Sequence, residues 1–402
     1  MTWKPIVERA RVATILEDIV AAVDAHPRGE PAEHADYTVL RGYLASDDAI
    51  PDPDDRGSDA LSLAIETLAR TGGSPGLFGG ASQIGWTVAH HTEGEDADAV
   101  CGAIDAALAP RLPGWVADYD LISGLTGFAV YALERGPAGA ATARAVLDGL
   151  EAQQARGWIT APELLPPHQR AVAPEGYVNL GLAHGLPGTI AILARMIEQG
   201  DELGIDAARA RAVLDSALRR LCDGSPPRAR GRFVGWLPTR HAPSPRLAWC
   251  YGDLGVAAAL LRAGLAIDHA EAHAEGLALA LDCATRSVAD AAIADAGICH
   301  GAAGIAHLFN RMAQATGHPA LYDAAVRWID QTLAMRTDAP LAGFPANVPL
   351  DDGALRYEAN GSLLTGAAGV ALVLHAASSS VEPSWDRILV TDLPPLASPE
   401  PA

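Results

Sequence analysis

Cys250 and Cys299 each stand two residues ahead of a glycine that opens an apolar run. One stretch reads Arg246-Leu247-Ala248-Trp249-Cys250-Tyr251-Gly252, the other Ile298-Cys299-His300-Gly301. If the two stretches are equivalent repeats, the thiols take the same structural position on neighbouring units, and His300 lies beside the second. Two thiolates and an imidazole gathered in this way form a candidate three-ligand zinc site with one position open. The spacing is not that of a zinc finger, so the argument rests on the repeat register. A helix N-terminus at each cysteine favours thiolate over thiol.

Other polar residues fall at the same places. Ser123, His184, Tyr251, His300 and Thr365 each immediately precede a leading glycine. A core interface needs no such row, whereas a central pocket does. His184 reads either as a structural histidine satisfied by a carbonyl or as a general acid/base. Asp120 reads as an N-cap or as the group that orients a histidine. Arg246 reads as a loop salt bridge or as an anchor for a carboxylate or enolate oxygen. Cys101, Cys222 and Cys283 fall on amphipathic stretches and read as buried apolar groups. His90, His91, His269 and His273 lie away from the glycine-led starts and have no cysteine partner. Gly-x-x-Gly without a following Lys-Ser/Thr argues against a phosphate loop.

The elements that must position these residues form a cycle. Glycine-led apolar stretches at 78–88, 122–133, 183–196, 250–263, 299–312 and 364–376 alternate with amphipathic stretches at 97–109, 139–155, 206–222, 270–288 and 319–336. Five of the six leading stretches carry Gly-x-x-Gly; the first has Gly80 and Gln83, a degenerate copy. Stretches that are apolar nearly all round belong in an inner layer, and the amphipathic ones cover them. Residues 34–45 supply a seventh inner member, and 6–25 has helical spacing. The expectation is all-α: an α/α toroid of two concentric layers, with the inner N-termini gathered at one end. Gly-x-x-Gly is expected to let backbones approach closely at the first helical turn. Residues 46–59 read as a solvated acidic linker. Residues 156–178 and 223–245 read as loops. The second holds a strand-like piece at 232–237 and a basic cluster of Arg228, Arg230 and Arg232.

The chain has 402 residues and a formal net charge of −20, which argues against nucleic acid as the main partner. Five cysteines in a chain of this length do not read as a disulfide framework; reduced thiols in a cytoplasmic protein fit better. The N-terminus lacks a signal-peptide core, and no apolar run is long enough to insert in a membrane. One domain is expected over 1–390, followed by a disordered proline-rich tail over 391–402.

Trp249-Cys250-Tyr251-Gly252, Cys299-His300-Gly301 and Gly181-Leu182-Ala183-His184-Gly185, in these positions, resemble the signature motifs of the lanthionine synthetase C-like family. The resemblance runs from the degenerate repeat near 78 to Trp385-Asp386-Arg387-Ile388-Leu389. It implies a toroid of two seven-helix layers, a zinc ion held by Cys250, Cys299 and His300, and an active site lined by Asp120, His184, Arg246 and Tyr251. It further implies a lanthionine cyclase that adds cysteine thiols to dehydroalanine or dehydrobutyrine in a precursor peptide of leader plus core. The length looks like that of class I cyclases, which work beside a separate dehydratase and a transporter. Zinc would lower the pKa of the substrate thiol, His184 would supply the proton for the α-carbon, and Asp120 would orient a catalytic group. Arg246 and Tyr251 are the weaker candidates for the enolate. Some relatives carry a small β-containing insertion, for which only 156–178 and 223–245 offer room. A zinc protein of the same family that binds glutathione or peptide thiols without cyclising them would keep the same ligands. A toroid glycosidase or terpenoid cyclase would need paired carboxylates or an aspartate-rich motif instead.

Overall fold

The computed structural model describes residues 3–223, 231–238, 246–349 and 355–396. Fourteen helices carry the architecture. They are α1 (Ala13–Ala25), α2 (Pro31–Ala45), α3 (Arg56–Thr71), α4 (Ala81–His91), α5 (Glu95–Leu108), α6 (Leu125–Glu134), α7 (Ala140–Ala155), α8 (Leu186–Glu198), α9 (Ala207–Asp223), α10 (Asp253–Ala266), α11 (Ala270–Ala284), α12 (Ala302–Thr316), α13 (Pro319–Ala334) and α14 (Ala367–Ser378).

The even-numbered helices form the inner layer. Each packs on the next in chain order, and α14 packs on α2, which closes the ring. Each of α2 to α12 also packs on the odd-numbered helix that follows it, and α14 packs on α1. The result is the two-layered toroid expected, with seven helices in each layer. Burial sorts the layers as hydropathy does: every residue of α14 is buried, and so is every residue of α12 except Thr316, whereas α3 buries only Gly57, Ala60, Leu61 and Ala64.

The loops that enter the inner helices are bonded hand to hand. Phe78 N donates to Ile122 O (3.1 Å), Leu121 N to Ala183 O (3.0 Å), Ala183 N to Cys250 O (3.3 Å), Cys250 N to Cys299 O (3.1 Å) and Cys299 N to Leu364 O (2.9 Å). These bonds place the inner N-termini at one end. Two side chains complete the circuit where the sequence repeat is weakest. The buried Asp36 of α2 accepts Leu363 N on Oδ2 (2.9 Å) and Gln83 Nε2 on Oδ1 (2.6 Å). Gln83, which stands where the other copies have their second glycine, is thus the residue that joins α4 to α2.

The Gly-x-x-Gly pairs are explained by each repeat's own loop. A Cβ on Gly301 would collide with Asp295, and one on Gly304 with the carbonyl of Ile298. The close approach is therefore between the first helical turn and the loop folded beneath it, not between neighbouring helices. Gly252, at φ +98°, also needs a backbone that other residues rarely adopt.

At the C-terminus, the turn Ser384–Leu389 buries Trp385, Asp386, Ile388 and Leu389. Asp386 accepts from Arg311 Nη2 (2.9 Å) and Nε, and pairs with His307 Nε2 (2.7 Å). Trp249 Nε1 donates to Leu389 O (3.0 Å), so this segment reaches from the inner helices to the loop carrying Cys250. Residues 391–396, expected within a disordered tail, are folded onto the body of the protein. Thr391 and Leu393 are buried, and Leu396 N donates to Gln314 O (3.0 Å), because the apolar side chains of this segment find sites on the toroid. Residues 397–402 lie outside the described residues.

Other expectations need correction. Helix α3 starts inside the acidic stretch, and Asp52 is not a solvated linker residue: it pairs with the buried Arg41 (2.7 Å) and accepts Gly57 N (2.9 Å). The strand-like piece at 232–237 narrows to β2 (Trp236–Leu237), paired antiparallel with β1 (Val178–Asn179). Arg232 pairs with Glu275, while Arg228 and Arg230 lie outside the described residues. A second hairpin, β3 (Ala346–Pro349) with β4 (Leu355–Glu358), falls between α13 and α14, where no β element was expected.

Candidate metal and catalytic site

Cys250, Cys299 and His300 come together at the N-terminal end of the inner ring. One ligand atom from each lies within 4.8 Å of the other two. The Cys250 N–H to Cys299 O bond is the cause: equal offsets from the leading glycine become adjacency once neighbouring loops are bonded in register. Cys250 is buried, and Cys299 and His300 are half-buried. The two thiols behave as one titrating pair. The hydrogen bond from Cys299 pulls Cys250 well below the ordinary thiol range against the effect of burial, with His300 and the Arg246 charge adding to it. The same bond, together with burial, pushes Cys299 up. Arg246 Nη2 donates to Cys250 Sγ at 3.5 Å, and among the described residues no carboxylate pairs with this arginine.

Beside the cluster, His184 Nδ1 lies 2.8 Å from Asp120 Oδ2. A carboxylate only accepts, so Nδ1 carries the proton. The other carboxylate oxygen, Oδ1, accepts Ser123 N (2.8 Å) and Ser123 Oγ (3.3 Å). One oxygen thus closes the turn ahead of α6, whose N-cap is Gly124 and not Asp120, and the other faces the histidine. Burial disfavours protonation of His184, but the Asp120 hydrogen bond and charge outweigh it, aided by Cys250 and Asp118, so its pKa lies above the ordinary imidazole value. Its side chain keeps 41% of its surface accessible. The Tyr251 ring stacks on His184, with centroids 5.8 Å apart and planes at 27°. Burial pushes the Tyr251 hydroxyl up from its ordinary value, so it stays protonated at neutral pH. All seven residues singled out from the sequence therefore meet at one end of the ring.

Three neighbours escaped the sequence reading. Asn179 Nδ2 donates to the Tyr251 hydroxyl (2.9 Å). The Asp295 carboxylate lies 3.7 Å from His300 Nε2 and accepts Gly297 N and Asn347 N. Asp118 is pushed up to about 6 by burial and by the Asp120 charge. A signal for them was present: each stands six residues ahead of a leading glycine, as Asn360 does. The cysteines and histidines left out of the site stay out of it. Cys101 and Cys283 are buried and Cys222 is half-buried. His90 pairs with Glu134 (2.7 Å) and Tyr43 (2.8 Å).

The donor set suits zinc. Two sulfurs and one imidazole nitrogen are the ligands of an open zinc site, and an orienting carboxylate beside the histidine is usual there.

The chain belongs to the family of lanthionine synthetase C-like proteins, whose sequence profile matches residues 39–390. Its fold is shared with a solved structure titled nisin cyclase, at a TM-score of 0.77 and 19% identity, over 95% of this chain and 98% of that one. No curated protein matches the sequence. Among the described residues, no helix is long and apolar enough to cross a membrane.

Proposed function

We propose that the protein is a zinc-dependent lanthionine cyclase that closes thioether rings in a dehydrated precursor peptide. The observation that carries the reading is the convergence of Cys250, Cys299 and His300 beside a hydrogen-bonded Asp120–His184 pair. Zinc held by the first three residues would supply Lewis acidity that lowers the pKa of a substrate thiol, ordinarily near 8.5.

The remaining groups divide the work of the addition. The substrate sulfur gives up its proton to solvent and bonds to the β-carbon of dehydroalanine or dehydrobutyrine. The π electron pair moves toward the amide oxygen, which gains negative charge. Arg246 is held beside the thiol pair, where its charge favours anionic sulfur and the developing enolate. His184, whose cationic form Asp120 favours, delivers a proton to the α-carbon, and water restores it. Asp120 also fixes the tautomer, since the imidazole must retain the Nδ1 proton when the other nitrogen gives its own away. The substrate must already contain dehydro residues, so a dehydratase precedes this step; the class I arrangement, with a separate dehydratase and a transporter, fits in a cytoplasmic setting.

Mass spectrometry with thiol alkylation tests the reading. A dehydrated Ser/Thr/Cys-rich precursor incubated with the protein and zinc should lose alkylatable cysteines without a change in its own mass. Unchanged alkylation, with glutathione or the peptide merely bound, would identify a thiol-binding protein instead.

A further inference from the structure

Resting on the cyclase reading, we propose that Asn179 is a positioning residue that makes the Tyr251 hydroxyl a hydrogen-bond donor to the oxygen that gains charge during thiol addition. Gly181 N–H can only donate, and it meets Asn179 at 2.9 Å, so the atom it meets is the carbonyl oxygen Oδ1. The other end of the side chain is then the NH2 group, 2.9 Å from the Tyr251 oxygen. An amide NH2 also only donates. The phenol oxygen therefore accepts, and its own proton is directed away from Asn179. Among the described residues, Asn179 is the one hydrogen-bond partner of that hydroxyl.

Two contacts hold the ring in this arrangement. It lies against the backbone of Gly181, where a Cβ would come within 2.6 Å of Cδ1 and 2.7 Å of Cε1, and it stacks on His184. The hydroxyl proton is left for a group that arrives from outside the protein, beside His184, on which the ring stacks. The acceptor amide oxygen of a dehydro residue is such a group. As the sulfur bonds to the β-carbon and the π pair shifts, that oxygen gains charge and the hydrogen bond strengthens. Tyr251 keeps its proton throughout, and the α-carbon proton still comes from His184.

The same turn provides a control. Asp295 Oδ1 accepts Gly297 N (3.0 Å) as Asn179 Oδ1 accepts Gly181 N, so an aspartate is compatible with this turn. At 179 an aspartate would keep the turn but offer Tyr251 an acceptor, and the hydroxyl proton would point inward.

The test is a double-variant cycle with Asn179→Asp and Tyr251→Phe, reading kcat, KM and zinc content on a dehydrated precursor. Each single change should lower kcat by roughly 10²-fold, the scale of one lost oxyanion donor, with zinc retained and KM little changed. The double variant should be no slower than Tyr251→Phe. Asn179→Asp turning over at the wild-type rate, or effects that multiply, would overturn the proposal, since a charge acting through His184 would persist without the phenol. The Raman ring doublet of Tyr251, isolated by subtracting the Tyr251→Phe spectrum, separates accepting from donating hydroxyls. It should show acceptor character in the wild type and donor character in Asn179→Asp. If the wild type closes no rings, the cyclase reading fails, and the Raman result decides the role of Asn179: donor character in the wild type overturns it. If Asn179→Asp does not fold, the wild-type spectrum decides in the same way.

Discussion

Replacing Asp120 by asparagine changes one atom and should disable the proton donor. Asparagine can keep Oδ1 on Ser123 N, which preserves the turn. Its NH2 group then faces His184 Nδ1, 2.8 Å away in the native protein. An NH2 donates, so Nδ1 must accept, and the imidazole is driven to the opposite tautomer and away from the cation. Two unit charges about 4 Å apart attract by about 4 kcal/mol at an effective dielectric of 20. His184 keeps 41% of its side chain accessible, so solvent screening removes a good part of this. If about half survives, ~2 kcal/mol of cation stabilisation is lost, about 30-fold in rate. The tautomer change adds to this and carries the expected loss in kcat into the ~10²–10⁴-fold range of general acids. The pH profile should move as well. On the proposed assignment the protonated imidazole is the active form, and its raised pKa keeps it active to higher pH; without the Asp120 charge the alkaline limb should shift to lower pH. The groups that hold it in place are Asp120, Asp118 and Cys250, with Tyr251 stacked on its face. Initial rates and zinc content must be measured on the same preparation, with His184→Ala alongside. Loss of zinc in either variant would put His184 among the ligands. A wild-type rate with an unmoved alkaline limb in Asp120→Asn would refute the assignment of the acid.

Three further outcomes are expected. Cys250→Ala and Cys299→Ala should each lose bound zinc by elemental analysis, and with it ring closure, because each removes one ligand of three. Gly304→Ala should lower the thermal midpoint, since its Cβ would collide with the carbonyl of Ile298; forced overpacking costs about 1–3 kcal/mol. Asp386→Ala should cost up to about 3–5 kcal/mol in denaturant unfolding, because it takes from the buried Arg311 its buried carboxylate partner and leaves it the more exposed Glu382. Burial alone would raise the Asp386 pKa, but Arg311 and His307 hold it below its ordinary value, so its contribution is present above about pH 4 and is lost as pH falls through the depressed folded value. An acid-unfolding midpoint unchanged in Asp386→Ala would contradict that linkage.

The toroid was legible because six of its seven inner helices are largely apolar and open on a glycine, a pattern that few other packings demand. The candidate site was legible for the same reason: offsets counted from those glycines carried Cys250 and Cys299 to the same place. What escaped depended on contacts that one-dimensional spacing does not express. Gln83 looked like decay of the repeat, yet its amide reaches Asp36, 47 residues earlier in the chain, and closes the ring. Asp52 looked solvated because it sits among other acids, but Arg41 on α2 captures it. Leu393 looked like part of a loose proline-rich tail, and only a site on the assembled toroid gives it somewhere to be buried. Asn179 carried no sign of a role beyond its turn, since its partner hydroxyl lies seventy-two residues on.

The circuit of hydrogen bonds also explains the division of labour around the ring end. Following it from Leu121 to Ala183, Cys250, Cys299 and Leu364, the chemistry-bearing residues appear in order. Asp120 comes from the loop before α6 and His184 from the loop before α8. Cys250 and Tyr251 come from the loop before α10, and Cys299 and His300 from the loop before α12. The proton pair therefore occupies one side and the thiol–imidazole cluster the other, with Tyr251 at the seam. The proposed addition would use this order, because the sulfur must reach the β-carbon while the proton reaches the neighbouring α-carbon. Four successive copies of one loop, each donating different side chains from within four residues of its leading glycine, provide that separation without any change in the fold beneath them.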